Sequence, residues 1–257
     1  MFEMNVEYGI IGGSGFYELT GKSKEQKVDT PFGEVDINIY DVNGIKIAFI
    51  PRHGTDHIIP PHLINYRANI YALYALGVKK IISTSAVGSM CRNIKPGDFV
   101  IPDQFIDFTI ARPKTFFDGN FSIKLHDGSR KQGVVHIDVT EPYCQTLRKL
   151  ILESIKTTRN KVHSKGVYVC TEGPRFETPA EIQAFKRIGG TIVGMTSVSE
   201  CILAKELDIC YATICLVTNF AAGLQNKITI EEVVSLFQNK KNILEKILLG
   251  AFSINNK

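Results

Sequence analysis

Apolar residues along this chain come in short runs that alternate with amphipathic segments, and no repeat, low-complexity tract or linker breaks the pattern. Residues 6–11 predict a strand that runs into Gly12, Gly13 and Gly15. Residues 34–40 and 45–50 flank Asp41-Val-Asn-Gly44, and an Asn-Gly pair between two such runs predicts a hairpin. Residues 66–76 have helical apolar spacing and stop at Gly77, a fitting C-terminal cap. Strands are expected at 79–84 and 99–102, and a helix at 142–157 with Leu147, Leu150, Ile151 and Ile155 on one face. A strand at 166–171 precedes a helix at 178–188, which opens on the capping pattern Thr178-Pro-Ala-Glu181 and closes at Gly189-Gly190. Strands at 191–195 and 209–217 flank a helix at 198–207, and a helix at 230–249 ends the pattern. Such alternation predicts one α/β domain over residues 1–257: three layers, with helices flanking a mixed, mainly parallel central sheet. Ligand sites in folds of this kind gather at the C-terminal ends of the strands.

Composition adds exclusions. Hydrophobic residues make up 44% of the 257, enough for a sizeable core. A formal net charge of +4, evenly spread, is too small to mark a nucleic-acid surface. No apolar stretch is long enough to span a bilayer, and no basic-plus-apolar leader opens the chain. The six cysteines, at 91, 144, 170, 201, 210 and 215, form no CxxC pair. They are expected to be buried free thiols, and the cytoplasm the expected location.

The candidate chemistry falls almost entirely at strand ends. Gly12-Gly-Ser-Gly15 invites a dinucleotide reading, but that fingerprint needs glycine where Glu18 stands. Gly21-Lys22-Ser23 resembles the tail of a P-loop, yet Phe16 occupies the position of its first glycine. What remains is either a tight turn or a small loop whose amides and Ser14 hydroxyl hold one anion. Pro51-Arg-His-Gly54 offers an arginine fork and a neighbouring histidine to an oxyanion, unless the pair is merely superficial. His53, His57 and His62 could suggest a metal, but Pro60-Pro61 breaks any helix that would align them, so no metal is expected. Ser83-Thr-Ser-Ala-Val-Gly-Ser89 suits a third anion contact or close chain packing. In Cys170-Thr-Glu-Gly-Pro-Arg-Phe-Glu177, Phe176 could stack on a base while Glu172 and Arg175 form a buried pair that orders the loop. Met195-Thr196, with Glu200 nearby, and Thr218-Asn-Phe-Ala-Ala-Gly223 close two further strands; an Asn there can both donate to and accept from a purine edge.

Taken in order, these segments, with Pro61-His-Leu-Ile-Asn-Tyr-Arg-Ala-Asn69, resemble the trimeric purine nucleoside and methylthioadenosine phosphorylases from about residue 8 to about residue 250. The resemblance implies a phosphate site of Ser14, Arg52, His53, Ser85, Ala86 and Thr196, with phosphate as co-substrate and no cofactor. It implies a nucleoside site with Met195 under the ribose, Phe176 beside sugar and base, and Asn219, with Ala221, reading the purine; Asn219 and His53 would be catalytic. Asn219 and Ala221 replace the aspartates of adenosine-type members, which implies a 6-oxopurine. Lys227-Ile-Thr-Ile-Glu-Glu-Val233 lacks the histidine that meets a 5′-hydroxyl and offers Ile230 and Val233, which implies a methylthio group. The expected activity is therefore phosphorolysis of S-methyl-5′-thioinosine by a homotrimer, in which residues 126–138 of a neighbouring subunit help close the 5′ pocket. An inosine/guanosine phosphorylase, a methylthioadenosine phosphorylase and a nucleoside-binding protein without catalysis are the alternatives.

Overall fold

The computed structural model describes residues 6–255. Its central sheet begins with β1 (Tyr8–Gly12), β2 (Ser23–Thr30), β3 (Gly33–Val42) and β4 (Ile45–Pro51). After helix α1 (Tyr66–Ala75) come β5 (Lys80–Ser89), β6 (Phe99–Val100) and β7 (Gln104–Asp107), then a separate hairpin of β8 (Ser122–Lys124) and β9 (Arg130–Gln132). The chain continues through α2 (Gln145–Lys156), β10 (Val162–His163), β11 (Val167–Cys170), α3 (Pro179–Arg187) and β12 (Ile192–Gly194). It ends with α4 (Ser197–Glu206), β13 (Cys210–Phe220) and α5 (Ile230–Asn255). The main path through the sheet is β10-β6-β13-β5-β1-β4-β3-β2. Pairing is parallel for β1 with β4 and β5, and for β13 with β5, whereas β2, β3 and β4 meander antiparallel. Helices α1 and α4 cover one face around Ile11, Leu73 and Leu203; α2 and α5 cover the other around Ile10, Ile151 and Leu248. The layers are those the alternation predicts.

Local signals account for several boundaries. Asn43 and Gly44 both have positive φ (54° and 81°), the left-handed pair that a two-residue turn between twisted strands requires. Thr178 and Glu181 close a reciprocal capping box at the start of α3, satisfying two amides that the helix leaves open. Strands exceed their expected ends where the sheet supplies partners on both sides. β5 runs on through Ser83–Ser89 because β13 follows it to Ser89 and β12 joins it antiparallel at Gly88 and Ser89. Thr218 and Asn219 likewise lie within β13 rather than after it, beside a register shift between Val217 and Asn219.

The cysteine expectation fails at one pair. Cys144 and Cys210 form a disulfide, Cα–Cα 5.3 Å, that ties the start of α2 to the start of β13, while Cys91, Cys170, Cys201 and Cys215 are free. The sequence hides this because 66 residues separate the two positions, and only the packing of α2 against the sheet brings them together. Closing a loop of that length in the unfolded chain is worth about 4 kcal/mol at most in the chain-entropy picture. Reduction with a thiol, or Cys144→Ser, is therefore expected to lower the thermal midpoint by about 10 °C, read by scanning calorimetry with and without reductant. An unchanged midpoint would remove the bond from the stability of the fold.

Candidate active site

Parallel pairing places the C-terminal ends of β1 and β4 side by side (Gly12↔Pro51) and next to the middle of β5 at Ser83, from which β5 runs on to Ser89. β12 runs the opposite way along the upper half of β5, so its end at Gly194 descends toward the same place. A cavity of about 370 Å³ opens there. Its wall contains Ser14 from the turn after β1, Arg52 and His53 after β4, Ser85 and Ala86 in β5, Met195 and Thr196 after β12, and Asn219 and Ala221 from the end of β13. Phe176 from the β11–α3 loop and Ile230 and Val233 from α5 complete the set expected from sequence. All twelve residues share this one cavity.

The anion end differs in detail from the expectation. Arg52, fully buried, commits three of its N–H groups to the protein: Nε and Nη2 donate to Glu200 at 2.7 and 2.9 Å, and Nη1 to the Thr84 carbonyl at 2.6 Å. Burial works against this charge, but the Glu200 carboxylate outweighs it and holds the guanidinium above its ordinary pKa. Of five N–H donors, two stay uncommitted, one on each terminal nitrogen. Gly13 is required by this packing, since a Cβ there would lie 2.7 Å from the Thr84 oxygen and 2.9 Å from Arg52 Nη1. Its amide is not free for an anion, because it donates to Thr84 Oγ1 at 2.8 Å. The Ser14 hydroxyl and the hydroxyl of Thr196, which caps α4 without bonding to it, are the groups left to the cavity, with the positive end of α4 behind them.

His53 also presents an acceptor where a donor was expected. Its Nδ1 lies 2.8 Å from the Ile59 carbonyl, and a carbonyl only accepts, so Nδ1 carries the hydrogen. Burial, then the Arg52 charge, pushes its pKa down to about 3. A neutral ring so fixed keeps a lone pair on Nε2, suited to a protonated oxygen of a hydrogen phosphate. Behind this end, Tyr168 links Ser85 Oγ (3.1 Å) and the Thr196 amide (3.4 Å), and Tyr211 links Ser83 (2.6 Å) with Glu200 (2.7 Å).

At the other end Asn219 is half satisfied. Nδ2 donates to the Phe220 carbonyl at 2.9 Å and Oδ1 accepts from Thr218 at 2.8 Å, which fixes the amide and leaves one N–H and one lone pair. Glu177 faces the same cavity, buried, accepting from Thr171 Oγ1 at 2.7 Å. Burial raises its pKa above the ordinary carboxylate value. Glu177 stands where adenosine-type members tend to carry a small residue, and its neighbour Phe176 stands half-exposed at the rim. Ile58, Ile59, Pro60 and Pro61 extend the apolar wall begun by Ile230 and Val233.

The expected Glu172–Arg175 pair does not form. Arg175 points outward to Glu181, at 2.7 and 2.8 Å, while Glu172 takes Arg112 at 2.9 Å. Arg112 was invisible in the sequence because it lies on an irregular stretch between β7 and β8, far along the chain from its partners.

The chain from residue 7 to residue 253 matches the model of the Phosphorylase superfamily. It belongs to that family. Among its relatives is the 6-oxopurine nucleoside phosphorylase of Pyrococcus furiosus, 52% identical over 95% of this chain and 91% of the relative. Another is a probable S-methyl-5′-thioinosine phosphorylase of Methanothermobacter thermautotrophicus, 49% identical over 95% and 82%. A solved methylthioadenosine phosphorylase from Schistosoma mansoni, in complex with adenine, superposes with TM-score 0.86 at 33% identity, covering 98% of this chain and 92% of that one. This member of the superfamily thus shares its fold with an adenine-bound enzyme, while relatives of greater identity carry names for 6-oxopurine substrates.

Proposed function

We propose that this phosphorylase-superfamily enzyme cleaves the glycosidic bond of a 6-oxopurine nucleoside with phosphate, and that S-methyl-5′-thioinosine is its preferred substrate. The observation that carries the reading is that Asn219 and Glu177 line one cavity. A 6-oxopurine presents an acceptor at O6 and a donor at N1, which the free N–H of Asn219 and the carboxylate of Glu177 complement. A 6-aminopurine presents the reverse pattern, leaving both protein groups against like partners at a cost of about 1–3 kcal/mol each. The apolar side chains of Ile58, Ile59, Ile230 and Val233 suit a methylthio group.

In the reaction a phosphate oxygen bonds to C1′ as the C1′–N9 bond breaks and its electron pair passes to the purine. Products are a purine and a sugar 1-phosphate, the phosphate proton ending on the base. Ser14, Thr196 and the residual N–H groups of Arg52 hold the anion beneath the sugar, His53 Nε2 accepts from its P–OH, and Asn219 steadies charge growing on the purine. Catalysis is positional and electrostatic, without a covalent enzyme intermediate. We further propose a cytoplasmic homotrimer acting in purine salvage, in which residues 126–138 of a neighbouring subunit close the 5′ end. Among the described residues, no helix is long and apolar enough to cross a membrane.

Phosphate-dependent base release from methylthioinosine, inosine, guanosine and methylthioadenosine tests the reading. The expected order of kcat/KM is methylthioinosine first, inosine and guanosine next, and methylthioadenosine last by about 100-fold. Preference for methylthioadenosine overturns the base assignment, preference for inosine the 5′ assignment, and no release at all the catalytic one.

A further inference from the structure

Arg112 lies outside every motif, yet its side chain is 1% exposed and its guanidinium is bonded on all three nitrogens. Nε donates to Glu172 Oε1 at 2.9 Å; Nη1 meets the Met195 carbonyl at 2.6 Å, Tyr66 Oη at 3.0 Å and Ser199 Oγ at 3.3 Å. Nη2 meets the carbonyls of Glu172 and Thr171 at 2.7 and 3.2 Å. The place of these carbonyls matters. β11 and β12 pair from Tyr168↔Ile192 to Cys170↔Gly194, and one more bond, from the Thr171 amide to the Gly194 carbonyl, ends the ladder. Beyond it the two chains part: one becomes the Met195–Thr196 wall under sugar and anion, the other the loop carrying Phe176 and Glu177. Backbone acceptors released at such a fork need new donors. One planar guanidinium supplies them to both branches at once.

We propose that Arg112 is a positioning residue that fixes the spacing between the anion–sugar wall at Met195–Thr196 and the base-reading loop at Thr171–Glu177. The link to base reading is short: Arg112 holds the Thr171 carbonyl, and the Thr171 hydroxyl holds the Glu177 carboxylate. Glu172 adds a second hold, its Oε2 accepting from the amides of Ile110 and Ala111 at 2.6 and 3.1 Å, so Arg112 cannot shift without its own segment. A lysine keeps the charge but cannot span both branches. This inference rests on the base reading proposed above.

The test compares Arg112→Lys, Arg112→Ala and Glu172→Gln with Arg148→Ala. Arg148 is an equally useful buried guanidinium, bonded to the carbonyls of Pro102, Ile101 and Ser164 and away from the cavity. The ratio of kcat/KM for methylthioinosine over methylthioadenosine, and calorimetric dissociation constants for hypoxanthine and for phosphate, are the readouts. A misplacement near 1 Å costs about 100-fold in rate. Arg112→Lys is expected to lose about that factor on methylthioinosine, to lower the ratio about tenfold and to weaken both hypoxanthine and phosphate. Glu172→Gln is expected to move the same quantities the same way by less. Arg148→Ala is expected to lower the melting temperature and leave the ratio at its wild-type value. A purely structural Arg112 would reduce the active fraction for both nucleosides alike, so an unchanged ratio in folded Arg112→Lys, or in Glu172→Gln should the lysine variant not fold, overturns the proposal. A wild-type enzyme that does not favour the 6-oxopurine defeats the base reading instead, and weakened phosphate binding in the variants then still reports on the Met195–Thr196 branch.

Discussion

Glu200→Ala is expected to destabilise the protein by about 3–5 kcal/mol, because it strands a fully buried guanidinium without its counter-charge. For a chain of this size that is a fall of roughly 10 °C in the thermal midpoint. Arg52 cannot swing to water, since it is enclosed by Gly13, Thr84 and the floor of the cavity. Tyr211 loses one of its two partners in the same change and keeps only Ser83. Phosphate bound in the cavity then supplies a counter-charge, so added phosphate is expected to recover part of the loss in the variant and less in the wild type. Calorimetry with and without phosphate measures both. Replacing the two partners together, Arg52→Met with Glu200→Leu, is expected to restore most of the stability while activity stays lost, since an apolar pair of similar volume leaves no charge buried alone. If Glu200→Ala melts with the wild type, the ion pair is not what holds the anion end in place.

Asn219→Asp is expected to lower kcat/KM on methylthioinosine by about 10²–10³, the usual effect of removing one donor aimed at developing charge. The carboxylate would face both the O6 of the base and the Phe220 carbonyl, which now accepts the Nδ2 hydrogen. Methylthioadenosine, whose 6-amino group donates, is expected to lose far less, so the ratio between the two substrates falls toward one or below. The Thr218 hydroxyl still donates to an aspartate, so the side chain keeps its place and the change reports on chemistry. Kinetics of the variant on the two nucleosides decide it; a wild-type ratio would take Asn219 out of base reading.

Much of the architecture could be read from short segments. The Asn43-Gly44 turn and the Thr178–Glu181 box involve residues at most three apart, so the chain alone specifies them. The motifs after β1 and β4 could also be assigned to one pocket, because parallel strands put their C-terminal ends on one edge, whereas the end of β12 reaches it only because that strand runs antiparallel to β5. Extent was harder. β5 and β13 outlast their apolar runs because each finds a partner for residues that look like loop, among them Ser85, Ala86 and Asn219.

What the sequence by itself determined was the α/β alternation, several of its turns and caps, and most of the side chains that meet at the strand ends, while β2 and β7–β10 went unpredicted. Only the tertiary structure decided which of those side chains are free to act. Arg52 and Glu200 stand 148 positions apart, Arg112 and Met195 83, Cys144 and Cys210 66. Nothing in local pattern pairs them, since a buried charge or carbonyl takes whichever complementary group the packed layers bring within about 3 Å. That choice tied the Arg52 fork to Glu200 and Thr84, fixed His53 on the Ile59 carbonyl and brought Glu177 and Asn219 to one cavity.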